Sequence, residues 1–192
     1  HGERGARRGF ASTSHVAALP LLEQLTDVQA VQIYIEELRG LGLSPDELGN
    51  VPTEHPTLGW YDGHILFEER LADFFEDAGT FEQAKMALRR FRATALGGEA
   101  PSPYYALLLA DGDAMGKAIS HQAAPADHRA LSRALSDFAE HAARIVRQHK
   151  GSLVYSGGDD VLAFVPLHRA LTCARTLAEA FFGRLNPFAF QE

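Results

Sequence analysis

Residues 152–165 read Ser-Leu-Val-Tyr-Ser-Gly-Gly-Asp-Asp-Val-Leu-Ala-Phe-Val, and few stretches restrict a fold so tightly. Ser152–Ser156 and Val161–Val165 are rich in β-branched and aromatic residues, which favour a pleated, half-buried surface. Between them, Gly157 and Gly158 can both take φ > 0 without steric cost, so they are expected to close a two-residue hairpin turn. Asp159 and Asp160 are open to two readings at this point. Either they decorate a turn, as aspartates often do, or they carry chemistry.

The rest of the chain divides into two grammars. Upstream the apolar spacing is helical: Val16, Leu19, Leu22 and Leu25 are followed by Val28, Val31, Ile35 and Leu38. Gly40 and Gly42 stop that pattern, and Ser44-Pro45 is expected to restart a short helix. A loop over 49–63 precedes helices expected at 65–77 and 81–96. Gly97-Gly-Glu-Ala-Pro-Ser-Pro103 is the clearest break, dividing a helical region over 1–100 from a second domain over 101–192. Residues 1–9 are Gly- and Arg-rich and read as a frayed segment.

Beyond the break, Tyr104–Ala110 is an unbroken apolar run, as in a central strand buried on both faces. A helix over about 127–149, the hairpin, and a helix over 167–183 follow. Strand, helix, strand, strand, helix is the opening of a split βαβ arrangement, so the fold class is α/β of the α+β kind, a ferredoxin-like palm behind a mainly helical N-terminal region. Only Asn186–Glu192 remains to supply the fourth strand of that layout, so the palm half is expected to be incomplete at its C-terminus.

In that layout the first and third strands lie antiparallel side by side. The end of the first, Ala110-Asp111-Gly112-Asp113, therefore meets the start of the third, Asp159-Asp160. Carboxylates crowded at one sheet end repel one another unless a cation neutralises them. Mg²⁺ or Mn²⁺, held together with substrate phosphates, is the usual partner of such oxygen ligands. Two ions about 4 Å apart would activate a hydroxyl and stabilise a leaving phosphate. Gly157 and Gly158 would let a nucleotide approach the backbone, and Lys117, after Gly116, could offer a cation to a triphosphate.

Composition narrows the alternatives. A net charge of −7 argues against a broad basic face for duplex nucleic acid, though not against a local groove. The single cysteine, Cys173, excludes an internal disulfide and a cysteine-only zinc site, and its apolar surroundings suggest a buried, inert thiol. No apolar run approaches the roughly 18 residues of a membrane span, which together with the lone cysteine suggests a reducing cytoplasm. The nine histidines show no ligand spacing. Arg89, Arg90 and Arg92 read as a solvated helix face, and Phe74-Phe75 and Phe181-Phe182 as core.

Three stretches carry a family resemblance: Leu109-Ala-Asp-Gly-Asp-Ala-Met-Gly-Lys117, Ser156-Gly-Gly-Asp-Asp160, and Arg8-Gly-Phe-Ala-Ser-Thr-Ser-His-Val-Ala17. They resemble the polymerase and GGDEF-type palm domains, and most closely the large catalytic palm subunit of Cmr-type type III CRISPR effector complexes. The resemblance implies synthesis of cyclic oligoadenylates from ATP, switched on by target RNA. It implies that Asp111, Asp159 and Asp160 hold two Mg²⁺ or Mn²⁺ ions with help from the Gly112 carbonyl. Gly157, Gly158, Ser156 and Lys117 would contact the nucleotide. Partners would be other effector subunits and, through them, crRNA and target RNA. No His-Asp dipeptide of the kind found in relatives with a nuclease domain occurs here. A GGDEF-like cyclic dinucleotide synthase is the alternative enzyme, although Val161 stands where that group wants an acidic residue and a phenylalanine. A catalytically silent RNA-binding scaffold is the alternative outside enzymes.

Overall fold

A computed structural model describes residues 10–188 except residue 53. The chain forms two compact units that divide between Pro103 and Tyr104.

The first unit is helical, and its capping residues explain its segmentation. Ser12 caps α1 (Thr13–Leu22), accepting from His15 N at 2.9 Å. Asp27 caps α2 (Val28–Gly40), its carboxylate accepting from Ala30 N at 2.9 Å. The apolar spacing runs through both helices, but this aspartate starts a new one, so the pattern breaks at 23–27. Residues 45–48 form turns rather than the expected short helix, with Ser44 and Glu47 bonding each other locally. The helix expected at 65–77 is instead a 3₁₀ turn (Gly63–Leu66) and the short α3 (Glu68–Leu71), separated by Phe67 in extended conformation (φ −106°, ψ 124°). The last helix, α4 (Ala78–Ala95), is capped by Asp77. The core between α2 and α4 holds Tyr34 stacked on Phe91 at 4.8 Å, and the Tyr34 hydroxyl donates to Ile65 O at 2.6 Å.

A buried polar node ties this unit together. The Asp62 carboxylate accepts from Ser12 N (2.8 Å), Ser12 Oγ (2.6 Å) and His64 N (2.9 Å), and His64 Nδ1 lies 3.1 Å away. Gly63 N donates to buried His15 Nδ1 at 2.9 Å. Burial alone would raise the Asp62 pKa, but the hydrogen bonds from His64 and Ser12 outweigh it and hold the group below the usual carboxylate range. Desolvation, reinforced by His55 and His64 against the opposing pull of Asp62, lowers His15. Both groups therefore stabilise the fold at neutral pH. The His15 contribution is lost as pH falls below its unfolded value of 6.5, and that of Asp62 as pH falls below 3.8. Asp62→Asn is expected to cost about 2–4 kcal/mol in urea unfolding at pH 7. It should also flatten the loss of stability below pH 4 while leaving the His15-linked loss in place.

The second unit contains β1 (Tyr105–Ala110), α5 (Met115–His121), α6 (Pro125–Gln148), β2 (Ser152–Gly157), β3 (Asp160–Pro166) and α7 (Ala170–Leu185). Its three strands are antiparallel in the order β1-β3-β2, the α+β arrangement of a palm domain. Pro125 opens α6 at a position where its missing N–H is harmless, and Asp127 accepts from Ala124 N at 3.2 Å. Leu131, Phe138, Ala142, Ile145 and Val146 of α6 pack with Cys173, Leu177 and Leu185 of α7 onto Leu108, Val161, Ala163 and Val165 of the sheet. Cys173 is buried there, and burial pushes its thiol up to about 11, which keeps it inert.

Two expectations for the sheet are corrected. Among the described residues β1 pairs with β3 alone, and β2 takes the other side of β3. The helices cover one sheet face, so Leu107 (61%) and Leu109 (75%) are exposed. The hairpin is closed by Gly158 and Asp159, since Gly157 already pairs with Asp160 as part of the ladder. Gly158 has φ +64° whereas Asp159 is not in the positive-φ region, matching a type II′ turn with glycine first. Residues 186–188 form a 3₁₀ turn, and the rest of the segment considered for a fourth strand lies outside the described residues. The frayed segment expected at 1–9 lies outside them as well.

Candidate functional site

The sheet register sets the site. Ala110 pairs with Val161 on the helix-covered face, so the next residues, Asp111 and Asp160, fall on the open face opposite each other. Side chains that face one another across two antiparallel strands are neighbours by construction. The two carboxyl groups are near enough that one, when protonated, can donate to the other. The pKa of Asp160 is raised from its ordinary value by local desolvation, then by the charges of Asp111 and Asp159, and by such a hydrogen bond with Asp111. The topological argument from sequence thus identifies this pair.

Asp159 belongs to the same end of the sheet but sits differently. At the turn tip it packs over Gly112: a β-carbon on Gly112 would lie 2.7 Å from Asp159 Cβ, 3.0 Å from Asp159 Oδ2 and 2.8 Å from Phe181 Cζ. Glycine is required there, because the hairpin tip and α7 close on the backbone from two sides. Phe181 meets Phe138 edge-on, with centroids 5.0 Å apart, so the floor under Gly112 is continuous with the core. The turn that follows includes Ala114 at φ +58°, a left-handed conformation uncommon for a residue with a side chain, and Lys117 lies exposed in the first turn of α5.

The remaining nucleotide-contact candidates separate by face. Gly157 lies on the open face, paired with Asp160. Ser156 lies on the other face, where its hydroxyl donates to Ala139 O of α6 at 3.1 Å. Sequence reasoning missed two features. The first is a bulge in β2, where Leu153 pairs with Ala163 but Tyr155 pairs with Leu162. The second is the support that Phe181 gives Gly112. The signals were indirect: a tyrosine two residues before a glycine, and an aromatic pair in α7 read only as core.

Among the described residues, no group of three or more His, Cys, Asp or Glu side chains is arranged to hold a metal ion. The Asp111–Asp160 pair nevertheless fits a hard divalent cation of the Mg²⁺ kind. Such an ion commonly uses one or two carboxylates and fills its shell with water and substrate phosphate rather than occupying an all-protein cage. The arginines of α4 are occupied within their own unit: Arg90 pairs with Glu37 at 2.8 Å and Arg92 donates to Leu66 O. No helix among the described residues is long and apolar enough to cross a membrane.

Comparison with known proteins agrees with the fold of the second unit. Residues 104–189 match the family model of the Cas10/Cmr2 second palm domain. The chain is also 35% identical over 106 residues to the CRISPR system Cmr subunit Cmr2 of Pyrococcus furiosus, covering 42% of this chain and 12% of that protein. It thus spans a small part of its relative's length. The second unit is thus similar to the second palm domain of the Cas10/Cmr2 family and to part of a CRISPR system Cmr subunit.

Proposed function

We propose that this palm unit carries out metal-dependent nucleotidyl transfer, joining ATP into cyclic oligoadenylates within a type III CRISPR effector in the cytoplasm. The observation that carries the reading is the Asp111–Asp160 pair, facing one another at the open end of the sheet with Asp159 beside them. Asp111 and Asp160 would hold the ions, assisted by Asp159 and the Gly112 carbonyl. Bound there, Mg²⁺ or Mn²⁺ would supply Lewis-acid activation of the attacking hydroxyl and charge neutralisation at the leaving phosphate.

The chain's own groups have simpler duties. The two strand ends fix the carboxylates on adjacent ladder positions, so little reorganisation is needed when the triphosphate arrives. Gly158 keeps the hairpin tip narrow, leaving the substrate access to the backbone. Lys117 supplies positive charge toward the phosphates. Other effector subunits, crRNA and target RNA would assemble around the protein of which this unit is part.

The test is mass analysis of products from the full-length protein, assembled with partner subunits, guide and target RNA, and given ATP with Mg²⁺ or Mn²⁺. Cyclic oligoadenylate is the expected product. Cyclic diguanylate formed from GTP would move the unit to the dinucleotide synthases. An intact, RNA-bound assembly without any nucleotide product would make it a scaffold.

A further inference from the structure

Tyr155 stands on the carboxylate-bearing face two residues before Gly157, and the bulge in β2 re-aims Leu153 rather than Tyr155. In a regular strand Leu153 and Tyr155 would share a face. Here Leu153 pairs with Ala163 on the helix-covered side, whereas Tyr155 pairs with Leu162 on the open side. Bulges recur where a strand must re-aim a side chain. The phenol end of Tyr155 then fills the space above Gly157. A β-carbon on Gly157 would lie 2.8 Å from Tyr155 Cζ and would overlap the hydroxyl.

Gly157 is the ladder partner of Asp160, so the Tyr155 hydroxyl is delivered to the strand position facing that carboxylate. The side chain is 54% exposed, and among the described residues its hydroxyl makes no hydrogen bond. Gly157 also lacks the usual reason for a glycine. It lies within the ladder, and the positive φ of the turn falls on Gly158. Gly157 is the last residue of β2, and the turn does not require glycine there. The space that a side chain would need is taken by Tyr155.

We infer that the Tyr155 hydroxyl donates a hydrogen bond to a phosphate oxygen of the nucleotide taken up at Asp111–Asp160, and that Gly157 is glycine in order to seat this tyrosine. The inference rests on the nucleotide-handling reading above. A phosphate is the suitable acceptor because it accepts only, carries charge, and would lie at the carboxylate end toward which the hydroxyl extends.

The experiment measures equilibrium binding of α,β-methylene-ATP with Mg²⁺ to the full-length protein in its assembled complex, alongside thermal melting. Tyr155→Phe keeps the ring and removes only the hydroxyl. It should weaken binding about tenfold or more at an unchanged melting temperature. Gly157→Ala should displace the ring and weaken binding to a similar extent. Combined with Tyr155→Phe it should add little, because both changes remove one interaction. If the parent binds and Tyr155→Phe binds equally well, the inference falls while the proposed function stands. If the two losses multiply, Gly157 serves the substrate directly and the seating role falls. Should Gly157→Ala fail to assemble, the parent and Tyr155→Phe affinities decide alone. A parent that does not bind the nucleotide overturns both readings.

Discussion

Replacing Asp111 and Asp160 together by asparagine is expected to lower ATP turnover on the order of a thousandfold, the scale seen when preorganised electrostatic groups are removed from an active site. The fold should tolerate the change. Asparagine keeps the size of each side chain, and the Asp160 carboxyl already sits above its ordinary pKa under the influence of Asp111 and Asp159. Removing that repulsion should leave metal-free melting unchanged or slightly higher. Assembly with partner subunits and RNA should survive, since both residues lie at one exposed strand end. The decisive measurements are a metal-free melt and product formation in the assembled complex. A double variant that melts, assembles and turns over ATP like the parent would sink the nucleotidyl-transfer reading. One that melts far lower would show the pair to be structural.

Phe138→Ala should have the largest effect on stability. Phe138 is 2% exposed beneath the sheet and meets Phe181 edge-on. Its truncation leaves a cavity costing about 3–5 kcal/mol. For a unit of this size that is a fall on the order of 15–25 °C in melting temperature. Phe181 would lose its lateral support, and with it the contact beneath Gly112, so weaker activity should accompany the lower melt. The neighbouring Phe182 is 67% exposed, and its change to alanine should stay within about 0.5 kcal/mol. Equal effects at the two positions would show that Phe138 packing does not support this end of the sheet.

The meeting of Asp111 and Asp160 was legible because it follows from a hairpin, an antiparallel neighbour and the period of a strand. None of these depends on distant contacts. The exposure of β1 was not legible. An unbroken apolar run such as Tyr104–Ala110 has no alternation to show which face is covered, and the covering helices come later in the chain. The hairpin turn was misplaced by one residue because either pair, Gly157-Gly158 or Gly158-Asp159, has acceptable turn chemistry. The ladder pairing, rather than local preference, selects the second. In the helical unit, the apolar spacing over 65–77 concealed the Asp62 node, whose partners Ser12 and His15 lie about fifty residues away. A local reading has no access to such bonds.

The bulge at Val154 also bears on how homologous strands should be compared. It adds one residue between Leu153 and Tyr155 while both remain paired with consecutive residues of β3. Position along β2 and membership of a sheet face are therefore out of step on its two sides. A relative lacking the extra residue would preserve every face if a gap were opened at Val154. Shifting that gap beyond Tyr155 or Ser156 would equate open-face residues with helix-facing ones. Correspondence across this strand should be assigned by ladder partner, with Gly157 opposite Asp160 as the fixed point.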